Sequence, residues 1–362
     1  MNNALMIGLL KFSSALFGTL PGNGENRMIS PLSVHLALDM LMNGAGGATK
    51  ETFEKALCEG SSAEEFNKEL SAYLKELPVT DDASLSFANS IWANKTLHMK
   101  YRFSAVNRSY YNAMSKRLKF NAEAVERMNE WVGKSTDGMI THIIDTLDPA
   151  DKLVIMNALA FKGNWEKAFE SDSVYTEVFT NLDGSESSVK GMHSTENYFL
   201  QDETCTGFVK PYAGGRYAFA AMLPKEGVSL EEFEQSLSGE KYLKLIFGAS
   251  DQKVDIMLPK FTAEFETVVN PQLSAMGLGD LLSGTADYSG ISRYDFTLGE
   301  ILHKTFIDVN EIGTRAAAVT AVLMKSALPG RHPRVILDRP FVYAILDRKY
   351  GLPIFIGDVV RL

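Results

Sequence analysis

The sequence predicts an α+β protein built around a large, mostly antiparallel β-sheet. Two patterns carry this. Helical periodicity dominates the first third of the chain, and strand patterning dominates the rest. No Pro/Gly/Ser-rich linker interrupts the order, so residues 1–362 are expected to form a single domain.

The elements follow in order. Leu5, Leu9, Phe12 and Leu16 recur at helical spacing. This reading displaces a signal peptide, because the start lacks a basic region and Lys11 cuts the apolar run short. Ser30-Pro31-Leu32-Ser33 starts a second helix, with proline in the first turn and serine hydroxyls free to cap; Leu36, Met40 and Leu41 share its apolar face. Gly44, Gly46 and Gly47 read as a turn, since no Lys-Ser/Thr follows to make a phosphate loop. Thr49 to Thr52 opens another helix, Leu85 to Trp92 alternates as a strand, Phe103 to Met114 is helical, and Asn129 to Val132 begins one more helix. Leu153 to Phe161 is almost wholly apolar, as a central strand should be. Tyr217 to Leu223 and Val254 to Leu258 are strands, and Phe341 to Leu346 pairs with Ile354 to Val360 as a hairpin around Asp347 to Gly351.

Composition narrows the function. The chain is 45% hydrophobic and carries a formal net charge of -9, which argues against general nucleic-acid affinity. Lys116, Arg117 and Lys119 form the densest basic cluster and read as a solvated face. Cys58 and Cys205 are expected to be free thiols. No apolar run reaches the ~18 residues of a membrane span. The sequons at Asn94 and Asn107 matter only in a secretory pathway. No P-loop, dinucleotide fingerprint, nucleophile elbow or HExxH motif is present, and no two of the six histidines lie four residues apart. Neither catalytic residues nor a metal or small-molecule cofactor is expected.

The segment Glu311 to Gly330 fits no element. Ala316, Ala317 and Ala318 favour helix, Val319, Thr320 and Val322 favour strand, and Gly313 and Pro329-Gly330 punctuate its ends. With Phe306 to Ala318 before it, the chain resembles the serpins. Asn157 to Trp165, Ile29 to Ser33, Leu258 to Phe261, Ala286 to Gly290 and Arg339 to Phe341 extend the resemblance over nearly the whole length. It implies the serpin fold, with helices around three β-sheets and an exposed reactive-centre loop at about 311–335. It also implies a suicide-substrate inhibitor of serine proteases, consumed as its cleaved loop enters the main sheet.

Strand insertion would put side chains on alternate faces. Thr314, Ala316, Ala318, Thr320, Val322 and Met324 fall on one face, all small or apolar and uncharged. Arg315 and Lys325 fall on the other. This favours an inhibitory serpin over a non-inhibitory carrier, chaperone or storage member. The family's hinge maps to Glu311, Gly313, Thr314, Arg315, Ala316, Ala317 and Ala318. Arg315 stands where inhibitory members usually carry an acid, and Ile312 where they often carry a polar or acidic residue. Ser30, Ser33, Asn157 and His303 match the cluster that closes the main sheet, and Trp165 matches the point of loop entry. The family spacing, roughly 14 residues past the hinge glycine, puts the reactive bond at Ala327-Leu328 and suits an elastase-like pocket. The run from Gly313 to Pro340 is about two residues longer than in many serpins, which leaves Ser326, Leu328 and cleavage after Lys325 by a trypsin-like enzyme open. A monomer, acting outside the cell or at its surface with the cytoplasm as the other compartment, is expected, and neither nucleic acid nor membrane is an expected partner.

Overall fold

A computed structural model describes residues 3–78, 80–294, 296, 298–314 and 332–362. Three sheets form its frame. The main sheet runs in the order β11 (Phe261–Val268), β12 (Ile301–Val309), β13 (Gly313–Thr314), β4 (Leu153–Asn164), β2 (Ala83–Asn94) and β3 (Met114–Leu118). A second sheet runs β1 (Arg27–Ile29), β16 (Leu352–Val359), β15 (Phe341–Asp347), β9 (Tyr217–Pro224), β8 (Cys205–Pro211) and β7 (Tyr198–Gln201). The third runs β14 (Arg334–Ile336), β10 (Val254–Pro259), β6 (Glu186–Glu196) and β5 (Val174–Thr180).

Around them lie α1 (Asn3–Gly18), α2 (Pro31–Met42), α3 (Gly47–Leu57), α4 (Ala63–Glu76), α5 (Tyr101–Tyr111), α6 (Ala122–Ser135), α7 (Leu230–Ser236), α8 (Gly239–Phe247) and the short α9 (Asn270–Leu273). The centre of the arrangement is α2. Ser30 caps it by accepting from the Ser33 amide at 3.2 Å, Pro31 fills the first turn, and every residue of the helix is buried. It packs on β4 and β16 and so joins the main and second sheets. A helix buried all round can have no polar face, which explains its sequence PLSVHLALDMLM.

The expected helices and strands occur, with three adjustments. The helix expected over 103–114 ends at Tyr111, because Asn112 takes the left-handed conformation at φ 50° and Met114 opens β3. The helix expected to begin near Asn129 begins at Ala122, where the Asn121 side chain accepts from the Ala124 amide at 3.1 Å. The helix expected from Thr49 starts two residues earlier, after Gly46. The sheet pairing is mostly antiparallel, with parallel pairs at β4–β12, β2–β3 and β10–β14.

Both cysteines are free and buried, and burial is the main cause pushing the Cys205 thiol up to about 12. The sequon asparagines are structural. Asn94 donates to the Pro149 and Asp151 carbonyls, and Asn107 is fully buried and donates to the Met40 carbonyl. Among the described residues no helix is long and apolar enough to cross a membrane.

One polar pair lies inside the helical layer. His35 Nδ1 and Asp39 Oδ2 of α2 sit 2.7 Å apart with both side chains fully buried, and the imidazole stacks on Phe66. Burial raises the Asp39 carboxyl above its ordinary value against the pull of His35. His35→Leu leaves that carboxyl without a partner, so unfolding free energy should drop by about 3–5 kcal/mol. His35→Leu/Asp39→Ala nearly conserves side-chain volume and should recover most of the loss in urea unfolding. A double variant as unstable as the single would show that packing, and not the orphaned carboxyl, sets the loss.

Candidate functional site

The site is a seam in the main sheet. β4 and β12 run parallel and pair from Ile155–Ile301 to Ala160–Phe306. Above that point they part, and β13 lies between them, antiparallel to both: Thr314 pairs with Val309 of β12 and with Gly163 of β4, and Gly313 pairs with Asn164.

A tight turn at Asn310 feeds the chain into the seam. The Asn310 carboxamide oxygen accepts from the Ile312 and Gly313 amides at 3.0 and 3.2 Å, and its own amide donates to the Gly313 carbonyl at 2.9 Å. This is an Asx turn, the local geometry that asparagine supplies without backbone help. Gly313 is required for a different reason. A Cβ there would lie 2.0 Å from the Gly163 carbonyl oxygen, so only glycine lets the two backbones come together. Thr314 is fully buried, and its Oγ1 lies 2.6 Å from the Tyr212 hydroxyl.

A clamp closes over the turn. The Trp165 amide donates to the Ile312 carbonyl at 2.8 Å, its indole Nε1–H to the Asn310 carbonyl at 2.8 Å, and the Phe169 amide to the Glu311 carbonyl at 2.9 Å. The indole stacks on Tyr212 with ring centroids 4.4 Å apart. Lys260 and Glu311 form an ion pair at 2.6 Å, and this bond holds the Glu311 carboxyl below its usual range although burial opposes it. Beneath the clamp lies a second pair, which sequence reasoning missed. Lys210 Nζ is 2.6 Å from Glu196 Oε1, donates to the Lys167 carbonyl at 2.9 Å, and sits 4.3 Å from the Phe169 ring centroid. Burial outweighs Glu196 and holds the ammonium below its ordinary pKa.

Lower in the seam, Ser30, Ser33, Asn157 and His303 come together. The Ser30 amide donates to His303 Nε2 at 3.1 Å, which leaves the proton of a neutral imidazole on Nδ1, 3.4 Å from Ser33 Oγ. Ser33 Oγ donates to Asn157 Oδ1, Asn157 Nδ2 donates to Asn89 Oδ1, and Asn89 Nδ2 donates to the Tyr111 carbonyl at 2.9 Å. The bonds run in one direction across β12, α2, β4 and β2. Asn89, Asn157 and His303 are register neighbours in three strands. Ser33 thus bridges two strands from below. Asn89 and Asn310 were both missed; an asparagine in an apolar-alternating strand, and another two residues ahead of Ile-Gly, were the available signals.

Arg315, Ala316, Ala317, Ala318, Lys325, Ser326, Ala327 and Leu328 lie outside the described residues. Among the described residues no group of three or more His, Cys, Asp or Glu side chains could hold a metal ion.

Burial drives the His303 imidazole down to about 3 from its ordinary 6.5. Between those values the unfolded chain binds a proton that the folded chain refuses, so stability falls as pH falls, by about 1.4 kcal/mol per unit. His303→Gln should flatten this slope. Urea unfolding of both proteins at pH 6.5 and 4.5 should show the unsubstituted protein losing about 2 kcal/mol more than the variant over the interval; parallel curves would exclude a neutral, buried His303.

Lys210→Met strands the Glu196 carboxylate and frees the Lys167 carbonyl. Hydrogen exchange should accelerate at the Trp165 and Phe169 amides more than at the amides of β16. Lys210→Met/Glu196→Gln should restore part of the protection, and equal acceleration everywhere would mean that the pair supports the fold without supporting the clamp.

Comparison with known proteins agrees with this architecture. Residues 8–362 match the family model described as serpin (serine protease inhibitor). An uncharacterized serpin-like protein of Thermococcus kodakarensis is 31% identical, covering 97% of this chain and 84% of the relative. Human neuroserpin is 29% identical over 94% of this chain and 87% of its own length. Among solved structures, the thermophilic serpin tengpin in its native state superposes with a TM-score of 0.96 at 38% identity, covering 100% of this chain and 95% of tengpin. Tengpin in its latent state gives 0.89 at 35% identity, covering 100% and 99%. The chain has the serpin fold, with its helices and three sheets, and belongs to the serpin family.

Proposed function

We propose that the chain is a suicide-substrate inhibitor of serine proteases and that its reactive loop inserts between β4 and β12. The observation that carries this reading is β13. Two residues at the loop's start already occupy the seam, antiparallel to both neighbours, with Thr314 facing inward against Tyr212. Continued at period two, the inward face takes Ala316, Ala318, Thr320, Val322 and Met324, none of them charged. Arg315 and Lys325 take the outward face.

In the proposed reaction the protease serine attacks the Ala327 carbonyl carbon. The Ala327–Leu328 amide breaks, the Leu328 amine leaves with the proton from the serine, and an acyl ester joins Ala327 to the enzyme. Release of one loop end lets the strand complete itself, and the attached protease is carried away before water can deacylate it. Inhibition in place of turnover depends on insertion outpacing deacylation. A small residue at Ala327 supports an elastase-like target.

The test is incubation with pancreatic elastase. A covalent adduct should survive SDS and heat, and N-terminal sequencing of the released fragment should begin at Leu328. Cleaved loop without an adduct would mark a non-inhibitory serpin, and a fragment beginning at Ser326 would move the target to a trypsin-like enzyme cutting after Lys325. The loop-cleaved protein should also melt at a higher temperature than the intact one, because cleavage adds a strand's hydrogen bonds to the sheet; an equal or lower midpoint counts against insertion.

A further inference from the structure

The charge of this chain is unevenly placed. The whole carries 45 Asp and Glu and a net charge of -9, yet residues 83–122 contain seven Lys or Arg and no acid. That stretch folds as β2, α5 and β3, all at one edge of the main sheet. Two ordinary explanations cover part of it. Charged residues on the edge strand β3 discourage pairing with another chain, and Arg108 in the last turn of α5 complements the helix dipole. Neither explains why no carboxylate answers these cations. Among the described residues Arg108, Lys116 and Arg117 form no ion pair, although the chain has acids to spare.

The three cations share a cleft of about 540 Å³ between α5 and β3, a volume suited to a small organic ligand. Tyr101, Ser104, Ala105 and Arg108 line it from α5 at spacings of three and four, which is one helix face. Ser115, Lys116 and Arg117 line it from β3. Arg117 is held in place by donating to the Lys95 carbonyl at 2.7 Å. The Ser115 hydroxyl is buried and has no partner among the described residues, an unmet donor on the cleft wall. Tyr101 is 87% exposed, an aromatic face beside the cations with Met99 next to it.

We propose that this cleft binds an organic phosphate or sulfate monoester. Arg108, Lys116 and Arg117 hold the oxyanion, with Ser115 donating its hydroxyl, and the apolar body of the ester rests on Tyr101 and Met99. None of the residues lining the cleft belongs to the seam or to the clamp. A carboxylate ligand would use fewer of the donors, because a tetrahedral oxyanion presents three oxygens to three cations.

The experiment is isothermal titration of the full chain with para-nitrophenyl phosphate, para-nitrophenyl sulfate and inorganic phosphate. At low salt at least one aryl ester should bind with a Kd below about 1 mM, and inorganic phosphate about tenfold more weakly; the stronger of the two esters identifies the headgroup. Arg108→Gln/Lys116→Gln should weaken ester binding at least about tenfold with an unchanged melting temperature. The control Lys134→Gln/Lys244→Gln, which removes two exposed charges elsewhere, should leave it intact. Tyr101→Ala should weaken the esters and not inorganic phosphate. Failure of both esters to bind, undiminished binding by Arg108→Gln/Lys116→Gln, or equal weakening by the control would overturn the proposal. Inorganic phosphate binding as tightly as the esters would overturn the role given to Tyr101 and Met99.

Discussion

The parallel pairing of β4 with β12 is the contact on which the remaining architecture turns. A strand lying between two parallel neighbours can be antiparallel to both, and β13 already is. Antiparallel ladders are somewhat more stable per residue than parallel ones. Opening the seam over the six pairs from Ile301 to Phe306 therefore exchanges one parallel ladder for two antiparallel ones. In the proposed mechanism that difference favours insertion, and the fold must hold it back until the loop is cut. In that mechanism the tether would be the loop's distal end, since Arg334 to Ile336 is paired as β14 with β10 in a different sheet.

Beneath the β4–β12 ladder lies a chain of buried polar groups, and its location makes each group matter. The imidazole of His303, the Ser33 hydroxyl and the carboxamides of Asn157 and Asn89 are all at most 5% exposed. Such groups stabilise only while each keeps its partner, and a partly broken chain of this kind is worse than an apolar core. Directional bonding from the His303 Nδ1–H through Ser33 to Asn157 thus gives the closed sheet one well-defined arrangement. Separating β12 from β4 would cost each of these buried groups its partner unless it found another. The Lys210–Glu196 pair beneath the clamp follows the same rule, since two charges nearly free of solvent must either keep each other or both be lost.

The frame of the fold was legible because long apolar runs leave few options. Leu153 to Phe161 read as a central strand, and the Ser30-Pro31 cap announced α2. The strands β1, β3, β5, β6, β7, β8, β11, β12 and β14 were not anticipated; where a strand is as short as β1 and β7 or has mostly exposed positions, as β5 does, pattern alone does not separate strand from loop. Helix ends failed where one asparagine decided them, Asn112 by adopting the left-handed region and Asn121 by capping. In the site, Ser30, Ser33, Asn157 and His303 come together as the family pattern implied, while their hydrogen-bond partner Asn89 was not read from the sequence. Asn89 reaches Asn157 only through the sheet register, and Lys210 and Glu196, far from the hinge in sequence, reach the clamp only through the packing of β8 beneath it. A buried lysine in particular gives no sign in sequence, since Lys210 stands between Val209 and Pro211 in a stretch that reads as an ordinary strand.

The departure at Ile312 has a physical account in the turn. Its neighbours are recognised by side chain or by the lack of one: Glu311 through its ion pair with Lys260, Gly313 through the approach of the Gly163 carbonyl, Thr314 through Tyr212. Ile312 is recognised through its backbone alone. Its amide donates to Asn310 Oδ1 and its carbonyl accepts from the Trp165 amide, while its side chain is half-buried. Backbone groups are the same in every residue except proline, so the turn constrains this position by conformation and leaves its chemistry open. An isoleucine is therefore compatible with the same clamp that a polar residue would meet. Among the described residues, the entry to the seam is thus shaped by geometry at Asn310 and Gly313 together with the Lys260–Glu311 ion pair.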